Sequence, residues 1–325
     1  MTKAPPAWET LSARFEQQHW PQAALYVVAT PIGNLMDLSL RAWYVLGMVD
    51  AIAAEDTRSS RPLLQAWNID TPLLAAHRHN EREAGAAIIE RLAQGQRIAL
   101  ISDAGAPAIS DPGGRLVQDV RQAGFEVVVV PGPSAAIAAL MASGASTDQH
   151  PAFTFLGFLP NKQAARQRTL RQWQSVTSSL VMFEAPHRII SLIEDLRVVF
   201  GDQRQVSLCR ELTKRFEQTV TLSLQASVPW IQADHHREKG EYVVVLHPVQ
   251  ALGLSDGSRD GMQDGTQDGT QDEAWQSAQR LAWMGALLST LSTRDAAKVM
   301  AKALSLPKDE CYANLLAYAK NYSRP

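Results

Sequence analysis

The stretch Leu100–Gly114, LISDAGAPAISDPGG, decides the fold because it joins the end of an apolar strand to a long loop. Its fifteen residues include three Gly, two Pro, two Ser and two Asp. A long loop of such turn-forming residues inside an ordered domain is typical of a functional site. Asp103 lies just beyond the carboxyl end of the strand, the edge at which open α/β sheets bind ligands. The alternative is a structural turn in which Asp103 caps its own backbone, and two further loops of the same kind favour the ligand site.

Short apolar runs alternate with helical patterns on both sides of this stretch. The runs predict strands at residues 24–29, 51–54, 73–76, 97–101 and 127–130. Alternation of this kind predicts βαβ units and a mostly parallel sheet. Because the carboxyl ends of parallel strands share one edge, TPIGN (30–34), SDAGAPAISDPGG (102–114) and PGPSAA (131–136) are predicted to line a single rim. The exposed backbone groups of such a rim suit a neutral or zwitterionic small ligand.

Changes in composition and in the pattern of apolar residues divide the chain into five parts. They are a loosely held extension (1–22), an N-terminal α/β domain (23–148), a second α/β domain with a mixed sheet (149–249), a flexible acidic linker (250–273) and a C-terminal helical module that resembles a helix-turn-helix (274–325). Within the second α/β domain, the alternation over residues 219–224 predicts an antiparallel strand with one exposed face. The repeated Gln-Asp-Gly-Thr of the linker lacks the ligand spacing of an EF-hand, so a calcium loop is rejected.

Several function classes lack their defining motifs in this sequence. There is no GxGxxG after the first strand, no GxxxxGK[ST] and no HExxH. The sequence therefore lacks the motifs of a dinucleotide-binding protein, a P-loop NTPase and a zinc protease. Cys209 and Cys311 are too few and too far apart for a disulfide framework or a metal site, so no metal is expected. No apolar run is long enough to span a membrane and the first twenty residues lack a signal core, which predicts a cytoplasmic protein.

The distribution of charge is more informative than the formal net charge of −2. Residues 255–273 hold five Asp and one Glu against one Arg, whereas residues 160–215 hold ten Lys or Arg against five acids. A basic region on a nearly neutral protein is compatible with a polyanionic partner, although such runs are more often solvated faces.

Seven motifs follow one another in order between Leu25 and Val245. They are TPIGNL, AEDTR, SDAGAPAISDPG, VPGPSA, FLGFLP, FEAPHR and RELTKRFE. This series resembles that of the class III, tetrapyrrole-methylase-type S-adenosylmethionine methyltransferases, and more narrowly the subfamily that modifies small-subunit ribosomal RNA. The extension and the insertion at 255–273 depart from the family pattern, and both lie outside the motifs.

The resemblance implies both a fold and an activity. The fold would be two α/β domains with S-adenosylmethionine folded tightly in the cleft between them, usually in a homodimer. The activity would be 2′-O-methylation of a cytidine ribose in the decoding centre of 16S ribosomal RNA. The small ribosomal subunit would then be the partner, with neither metal nor membrane involved.

The resemblance also implies which residues contact the cofactor. They are Pro31, Asp103, Ala106, Ser134 and Ala135 of the first domain, with Phe183 and Leu212 of the second and the neighbouring segments 183–184, 210–212 and 240–241. After Pro-Gly-Pro, Ser134 offers a hydroxyl and a helix-N-terminal N–H. Its alternative role is a plain N-cap, and the two roles are compatible.

Methylation of a ribose hydroxyl requires a group that accepts its proton. Candidates for this general base are Glu184, Glu55 and Glu211, with Asp56 and His77 as further possibilities. Each of them has a structural ion pair or a helix cap as its alternative role.

Basic and aromatic residues supply the candidates for contact with RNA. The predicted phosphate contacts are Arg58, Arg61, Lys162, Arg166, Arg168, Arg188, Arg210, Lys214 and Arg215. An internal salt bridge is the alternative for Arg188 and Arg210, and a plain solvated helix face is the alternative for Arg166 and Arg168. Phe158 and Phe216 could stack an unpaired base, although core packing is the favoured interpretation of both.

Two other functions compete with ribosomal RNA methylation. One is methylation of a tetrapyrrole precursor, which needs neither a basic groove nor a helical tail. The other is a ribosome-assembly factor that retains the cofactor fold without catalysis.

Overall fold

The computed structural model describes residues 13–77, 81–248, 284–288, 290–304 and 307–322. The chain divides into two compact units, residues 1–249 and residues 250–325. The predicted acidic linker at 250–273 lies outside the described residues, as do residues 1–12 of the predicted extension.

The first sheet contains five parallel strands. They are β1 (Ala24–Val28), β2 (Ala51–Ala54), β3 (Leu73–Ala75), β4 (Ile98–Ile101) and β5 (Glu126–Val130), in the spatial order β3-β2-β4-β1-β5. The predicted parallel α/β sheet is therefore confirmed. Its central strands β2 and β4 are buried along their whole length, as expected of continuous apolar runs covered on both faces.

Helices connect these strands and cover both faces of the sheet. They are α1 (Leu40–Met48), α2 (Thr57–Ala66), α3 (Glu81–Ala93), α4 (Gly114–Gln122) and α5 (Ala135–Ser143). Successive residues of a strand point to opposite faces, so Tyr26 joins a core with α1 while Leu25 joins a second core with α3 and α4. Ser39 caps the N-terminus of α1, because its side chain accepts a hydrogen bond from the N–H of Ala42 at 3.0 Å.

The second sheet is mixed, as predicted, and belongs to the same compact unit. Its strands are β6 (Phe153–Phe158), β7 (Ser179–Glu184), β8 (Gln205–Arg210), β9 (Gln218–Ser223) and β10 (Tyr242–Leu246), in the order β6-β7-β10-β8-β9. Only the β6–β7 pair is parallel, and the predicted antiparallel strand at 219–224 corresponds to β9.

The two faces of this second sheet have different coverings. One face packs against α6 (Gln163–Gln172), α7 (Ile189–Phe200) and α8 (Leu224–Gln232). The other face packs against α5, whose Ala139 and Leu140 join one core with Val181 and Val243. The helix that leaves the first sheet after PGPS therefore holds the two sheets together.

The second compact unit contains a helical segment at 284–288 and the helices α9 (Thr293–Leu304) and α10 (Lys308–Tyr322). Ser292 precedes α9, and its side chain accepts a hydrogen bond from the N–H of Asp295 at 3.2 Å. Met300, Cys311 and Leu315 form the centre of its small core. No helix in the described parts of either unit has both the length and the apolar character needed to cross a membrane.

Candidate active site

A cavity of about 540 Å³ lies where the rim of the first sheet faces one side of the second sheet. Its size falls within the usual range of small-molecule sites. The first sheet contributes the loops after β1, β2, β4 and β5. The second contributes residues of β6, β7, β8 and β10, the turns after β7 and β8, and Glu241 just before β10. The loops predicted to share one rim therefore meet at one cavity.

Backbone hydrogen bonds join the first two loops of the rim. The N–H of Thr30 donates to the carbonyl of Gly105 at 2.9 Å, and the N–H of Gly105 donates back to Thr30 at 3.0 Å. Gly105 has a φ of +83°, and a Cβ on it would lie 3.2 Å from Ile32. A side chain at position 105 would thus combine an unfavourable backbone conformation with a close contact.

Asp103 is held by the loop that follows β2. One of its carboxylate oxygens, Oδ1, accepts a hydrogen bond from Ser59 Oγ at 2.6 Å and from the N–H of Asp56 at 3.2 Å. These two donors fix the carboxylate at the wall of the cavity. The AEDTR motif therefore supports Asp103, and Asp56 additionally caps α2 and pairs with Arg58 at 2.8 Å.

A strained turn on the second sheet presents Leu212 to the cavity. Glu211 and Thr213, on either side of it, have φ values of +52° and +66°, a conformation that costs about 1 kcal/mol or more for residues with a side chain. The turn is held by the N–H of Glu241, which donates to Glu211 Oε1 at 2.9 Å. Lys214 Nζ then bridges Glu211 at 3.0 Å and Glu241 at 2.7 Å.

These contacts set the protonation of the two charged groups in the turn. Partial burial alone would raise the pKa of Glu211, but the hydrogen bonds from the Glu241 N–H and from Lys214 outweigh it and lower that pKa. Burial alone would lower the pKa of Lys214, and its bonds to Glu241 and Glu211 raise it instead. Both groups are therefore charged at neutral pH, in a mutual ion pair.

Glu184, at the end of β7, has the opposite electrostatic character. The residue is only 2% exposed, and burial raises its pKa although the N–H of Ala185 and the Arg188 guanidinium act to lower it. Oε1 accepts from that N–H at 2.9 Å and lies 3.2 Å from Arg188 Nε. Oε2 is buried and has no hydrogen-bond partner within the described residues. Such an oxygen is expected to have a functional explanation.

The charged side chains that line the cavity are all acidic. Its lining includes Glu55, Asp103, Asp111, Glu184 and Glu241, whereas no Lys or Arg of the described chain lines it. A cluster of carboxylates partly shielded from water favours a cationic ligand. S-adenosylmethionine carries a sulfonium and an ammonium beside a single carboxylate, so the donor set fits its net positive charge.

The cavity contains most of the residues predicted to hold a cofactor. Asp103, Ala106, Ser134, Ala135, Phe183 and Leu212 all line it, whereas Pro31 does not and its neighbour Ile32 does. Ser134 is the N-cap residue of α5, but its side chain makes no capping hydrogen bond there. Of the base candidates, Glu55 and Glu184 line the cavity and Glu211 does not.

Three of the predicted RNA contacts are occupied within the protein. Arg166 was predicted as a phosphate contact, with a solvated helix face as the alternative, and both are wrong because it is 3% exposed and its guanidinium pairs with buried Asp195 at 2.5 Å. Arg210 is buried and donates to the carbonyls of Lys239 and Phe216 rather than to an acid. Lys214 is engaged in the ion pairs described above.

Arg188 is partly buried between Glu184 and the turn before α6. It pairs with the carboxylate of Glu184 and donates to Asn161 Oδ1 and to the carbonyl of Leu159. The predicted contacts that remain exposed are Arg58, Arg61, Lys162, Arg168 and Arg215.

Sequence reasoning missed or misjudged several residues at the cavity. Phe158 and Phe216 were predicted to pack in the core, but they are 61% and 64% exposed, and Phe158 lines the cavity. Cys209 was considered only for disulfides and metals, yet it lies in the wall, where burial raises the pKa of its thiol to about 11. Phe158 faces the cavity because the register of β6 shifts by one residue against β7.

Comparison with known families identifies the family of the two-sheet unit. The family model for tetrapyrrole (corrin/porphyrin) methylases matches residues 24–227, which include both sheets except β10.

Similar proteins include several named ribosomal RNA small subunit methyltransferase I. The one from Pseudomonas aeruginosa is 49% identical over 227 residues, covering 70% of this chain and 79% of its own. The one from Vibrio cholerae is 46% identical over 229 residues, covering 70% and 78%. The one from Escherichia coli O157:H7 is 44% identical over 225 residues, covering 69% and 78%.

Solved structures with a similar fold include two methyltransferases. The cobalamin biosynthetic enzyme cobalt precorrin-4 methyltransferase superposes with a TM-score of 0.52 at 14% identity, covering 69% of this chain and 94% of its own. The methyltransferase CobJ gives a TM-score of 0.52 at 18% identity with the same coverage of 69% and 94%. At these identities the likeness concerns the fold alone.

Proposed function

The chain belongs to the tetrapyrrole (corrin/porphyrin) methylase family, and from that premise we propose that it is a methyltransferase of small-subunit ribosomal RNA. S-adenosylmethionine is the methyl donor of this family and of the ribosomal RNA methyltransferases that the chain resembles. The acceptor we propose is the ribose 2′-hydroxyl of a cytidine in the decoding centre of 16S ribosomal RNA. The observation that carries the proposal is the acidic cavity at the rim of the first sheet, in a chain 44–49% identical to the relatives described above.

The proposed cofactor site uses both sheets. Asp103, Ala106, Ser134 and Ala135 would hold the donor on one side, and Phe183 and Leu212 on the other, with Pro31 stiffening the nearby loop. When bound, the cofactor supplies an electrophilic methyl group on a positively charged sulfur. The task of the chain is to align the acceptor oxygen with that methyl group and to keep competing water out, and alignment alone can lower a barrier by several kcal/mol.

Glu184 is the residue we propose as the general base. Glu184 lines the cavity, its Oε2 is buried and unpartnered within the described residues, and its raised pKa makes the carboxylate a better proton acceptor than an ordinary one. Oε1 is fixed by the N–H of Ala185 and by Arg188, which leaves Oε2 to take the hydroxyl proton. Glu55 is the second candidate, and Glu211 is the weakest because its ion pair lowers its pKa.

Two exposed surfaces are proposed to contact the RNA and a second copy of the chain. The exposed residues Arg58, Arg61, Lys162 and Arg215 are proposed phosphate contacts, since their charged ends reach solvent. A second copy of the chain is proposed to cover exposed apolar side chains of the first sheet and α5, namely Val129, Ile137 and Met141. A cytoplasmic location follows from the proposed substrate.

The proposal is tested by supplying S-adenosylmethionine with a labelled methyl group and small subunits that lack the modification. The expected result is label in 16S ribosomal RNA, recovered after digestion as a 2′-O-methylated cytidine. Label in a porphyrinogen acceptor but not in RNA would overturn it in favour of a tetrapyrrole methylase. Restoration of ribosome maturation by variants that cannot bind the cofactor would favour an assembly factor instead.

The role of Glu184 is tested in the same assay. Glu184→Gln is expected to reduce kcat by about 100-fold, the lower end for loss of a general base, with little change in cofactor affinity. Glu194→Gln, on the neighbouring helix α7, is the matched control and should leave kcat unchanged. A Glu184→Gln variant with normal kcat would remove Glu184 from the mechanism.

A further inference from the structure

Phe158 is a large apolar side chain that the fold leaves in solvent at the wall of the cavity. It is 61% exposed, and its ring meets that of Phe183 edge to face, with centroids 5.6 Å apart and an interplanar angle of 66°. Phe183 in turn meets Phe155 at 4.9 Å and 66°. The three rings form a row in which Phe155 and Phe183 are partly buried and Phe158 is open on its outer side.

A bulge in β6 determines which way Phe158 points. Phe155 pairs with Val181 of β7, but Gly157 pairs with Met182 and Phe158 with Phe183, so β6 contains one residue more than its partner. Val181 and Met182 point to opposite faces of β7. Val181 packs toward α5, and Met182 packs toward α6 and α7. The extra residue therefore puts Phe158 on the same face as Phe155 and Val181, the face of the cavity. Regular alternation would have put it on the other face.

Gly157 makes this bulge possible. Its φ is +62°, and a Cβ there would lie 3.4 Å from Oγ of Ser110, in the loop after β4. Bulges between parallel strands are rare, and bulges near active sites often redirect a side chain. The backbone beyond Phe158 is fixed as well, because Arg188 donates to the carbonyls of Leu159 and Pro160.

We propose that the open face of Phe158 stacks the base of the nucleotide whose ribose is methylated. This inference rests on the proposed function and deepens it by naming a substrate-binding residue. Aromatic rings are the usual platforms for unpaired bases of RNA. Phe158 pairs in register with Phe183, and both rings line the cavity, so a base on the exposed ring lies beside the proposed cofactor site. An exposed ring can receive a base arriving from solvent on a polymer, and exposed Lys162 lies four residues further along for its phosphate.

The stacking site is tested by changing the ring and measuring RNA and cofactor separately. Phe158→Ala is expected to weaken binding of a decoding-region 16S RNA fragment, measured with S-adenosylhomocysteine present, by about 5- to 150-fold. KM for unmethylated small subunits should rise with it, whereas the affinity for S-adenosylhomocysteine alone should stay within about twofold of the native value. Phe158→Tyr should restore RNA binding, and Phe158→Leu should not, since it keeps apolar bulk without a ring. Phe153→Ala is the matched control, because this residue is also exposed on β6 but does not line the cavity.

Each result decides for or against the stacking site. Phe158→Leu binding RNA as well as the native chain, or Phe153→Ala losing as much affinity as Phe158→Ala, would overturn it. Loss of S-adenosylhomocysteine affinity with RNA affinity unchanged would also overturn it, by assigning the ring to the cofactor. If Phe158→Ala lowers Tm, the Tyr and Leu variants carry the comparison. A native chain that neither binds nor methylates the RNA would overturn the proposed function together with the stacking site. If the native chain both binds and methylates the RNA and Phe158→Ala does so equally well, the stacking site alone is overturned.

Discussion

The substitution Asp103→Asn tests the cofactor site through a single charge. The described hydrogen bonds of Asp103 both fall on Oδ1, from Ser59 Oγ and the N–H of Asp56, so Oδ2 is the oxygen that we expect to meet a ligand in the cavity that Asp103 lines. Asparagine keeps the size of the side chain and removes the charge. A hydrogen bond to a charged group contributes about 1.5–3 kcal/mol, and the lower end applies because Asp103 is exposed. The affinity for S-adenosylhomocysteine should therefore fall about tenfold, as measured by isothermal titration calorimetry.

Two further variants make this result specific. Ser59→Ala removes one donor that orients the carboxylate and should cost about two- to fivefold in affinity, less than Asp103→Asn itself. Asp70→Asn changes an exposed carboxylate that does not line this cavity and should leave the affinity unchanged. An Asp103→Asn variant that binds as tightly as the native chain, with an unaltered Tm, would refute the assignment of Asp103 to the cofactor.

Three other predictions concern stability and are measured by urea unfolding. Gly240→Ala should lower the free energy of unfolding by about 1–3 kcal/mol, because φ at this position is +87° and the new Cβ would lie 2.6 Å from Glu211 Cγ; an unchanged midpoint would count against the strained turn. Asp195→Ala should cost about 3–5 kcal/mol, since it leaves the Arg166 guanidinium buried without its partner, and a loss below 1 kcal/mol would contradict that pairing. Burial raises the pKa of Glu184, so the folded chain keeps a proton that the unfolded chain releases. The free energy of unfolding should therefore fall as pH rises from the ordinary glutamate range through the raised pKa. Glu184→Gln should flatten this part of the profile, and an identical slope in both proteins would contradict the prediction.

The first sheet could be predicted from sequence because its strands are buried on both faces. Runs such as 51–54 and 98–101 are apolar without interruption, and helical patterns separate them, which leaves few alternatives to a parallel sheet. The spatial order of the strands, and the packing of α5 against the second sheet, depend on contacts distant in sequence. No local pattern encodes those contacts.

The error at Arg166 has the same origin. Arg166, Arg168 and Arg171 look equivalent along α6, but the buried face of this helix contains Arg166 and Leu170, four residues apart. Asp195, the partner that makes burial of the arginine tolerable, lies 29 residues away on α7. A charged residue on a helix is expected in solvent unless such a partner is known.

The candidate site was predictable on one side and much less so on the other. Rim residues such as Asp103 and Ser134 follow from strand ends, and strand ends are visible in the sequence. On the second sheet, the position of Phe158 depends on one extra residue in β6, which reverses the face that the alternating pattern assigns. Glu241 and Cys209 reach the cavity only through the antiparallel pairing of β10 with β8, which joins segments far apart in the chain.

The most direct test of the central claim is a crystal structure of the chain grown with S-adenosylhomocysteine. We predict that the ligand occupies the 540 Å³ cavity between the two sheets, in contact with Asp103 on one side and Leu212 on the other. Ligand density at any other place, with this cavity left to solvent, would contradict it.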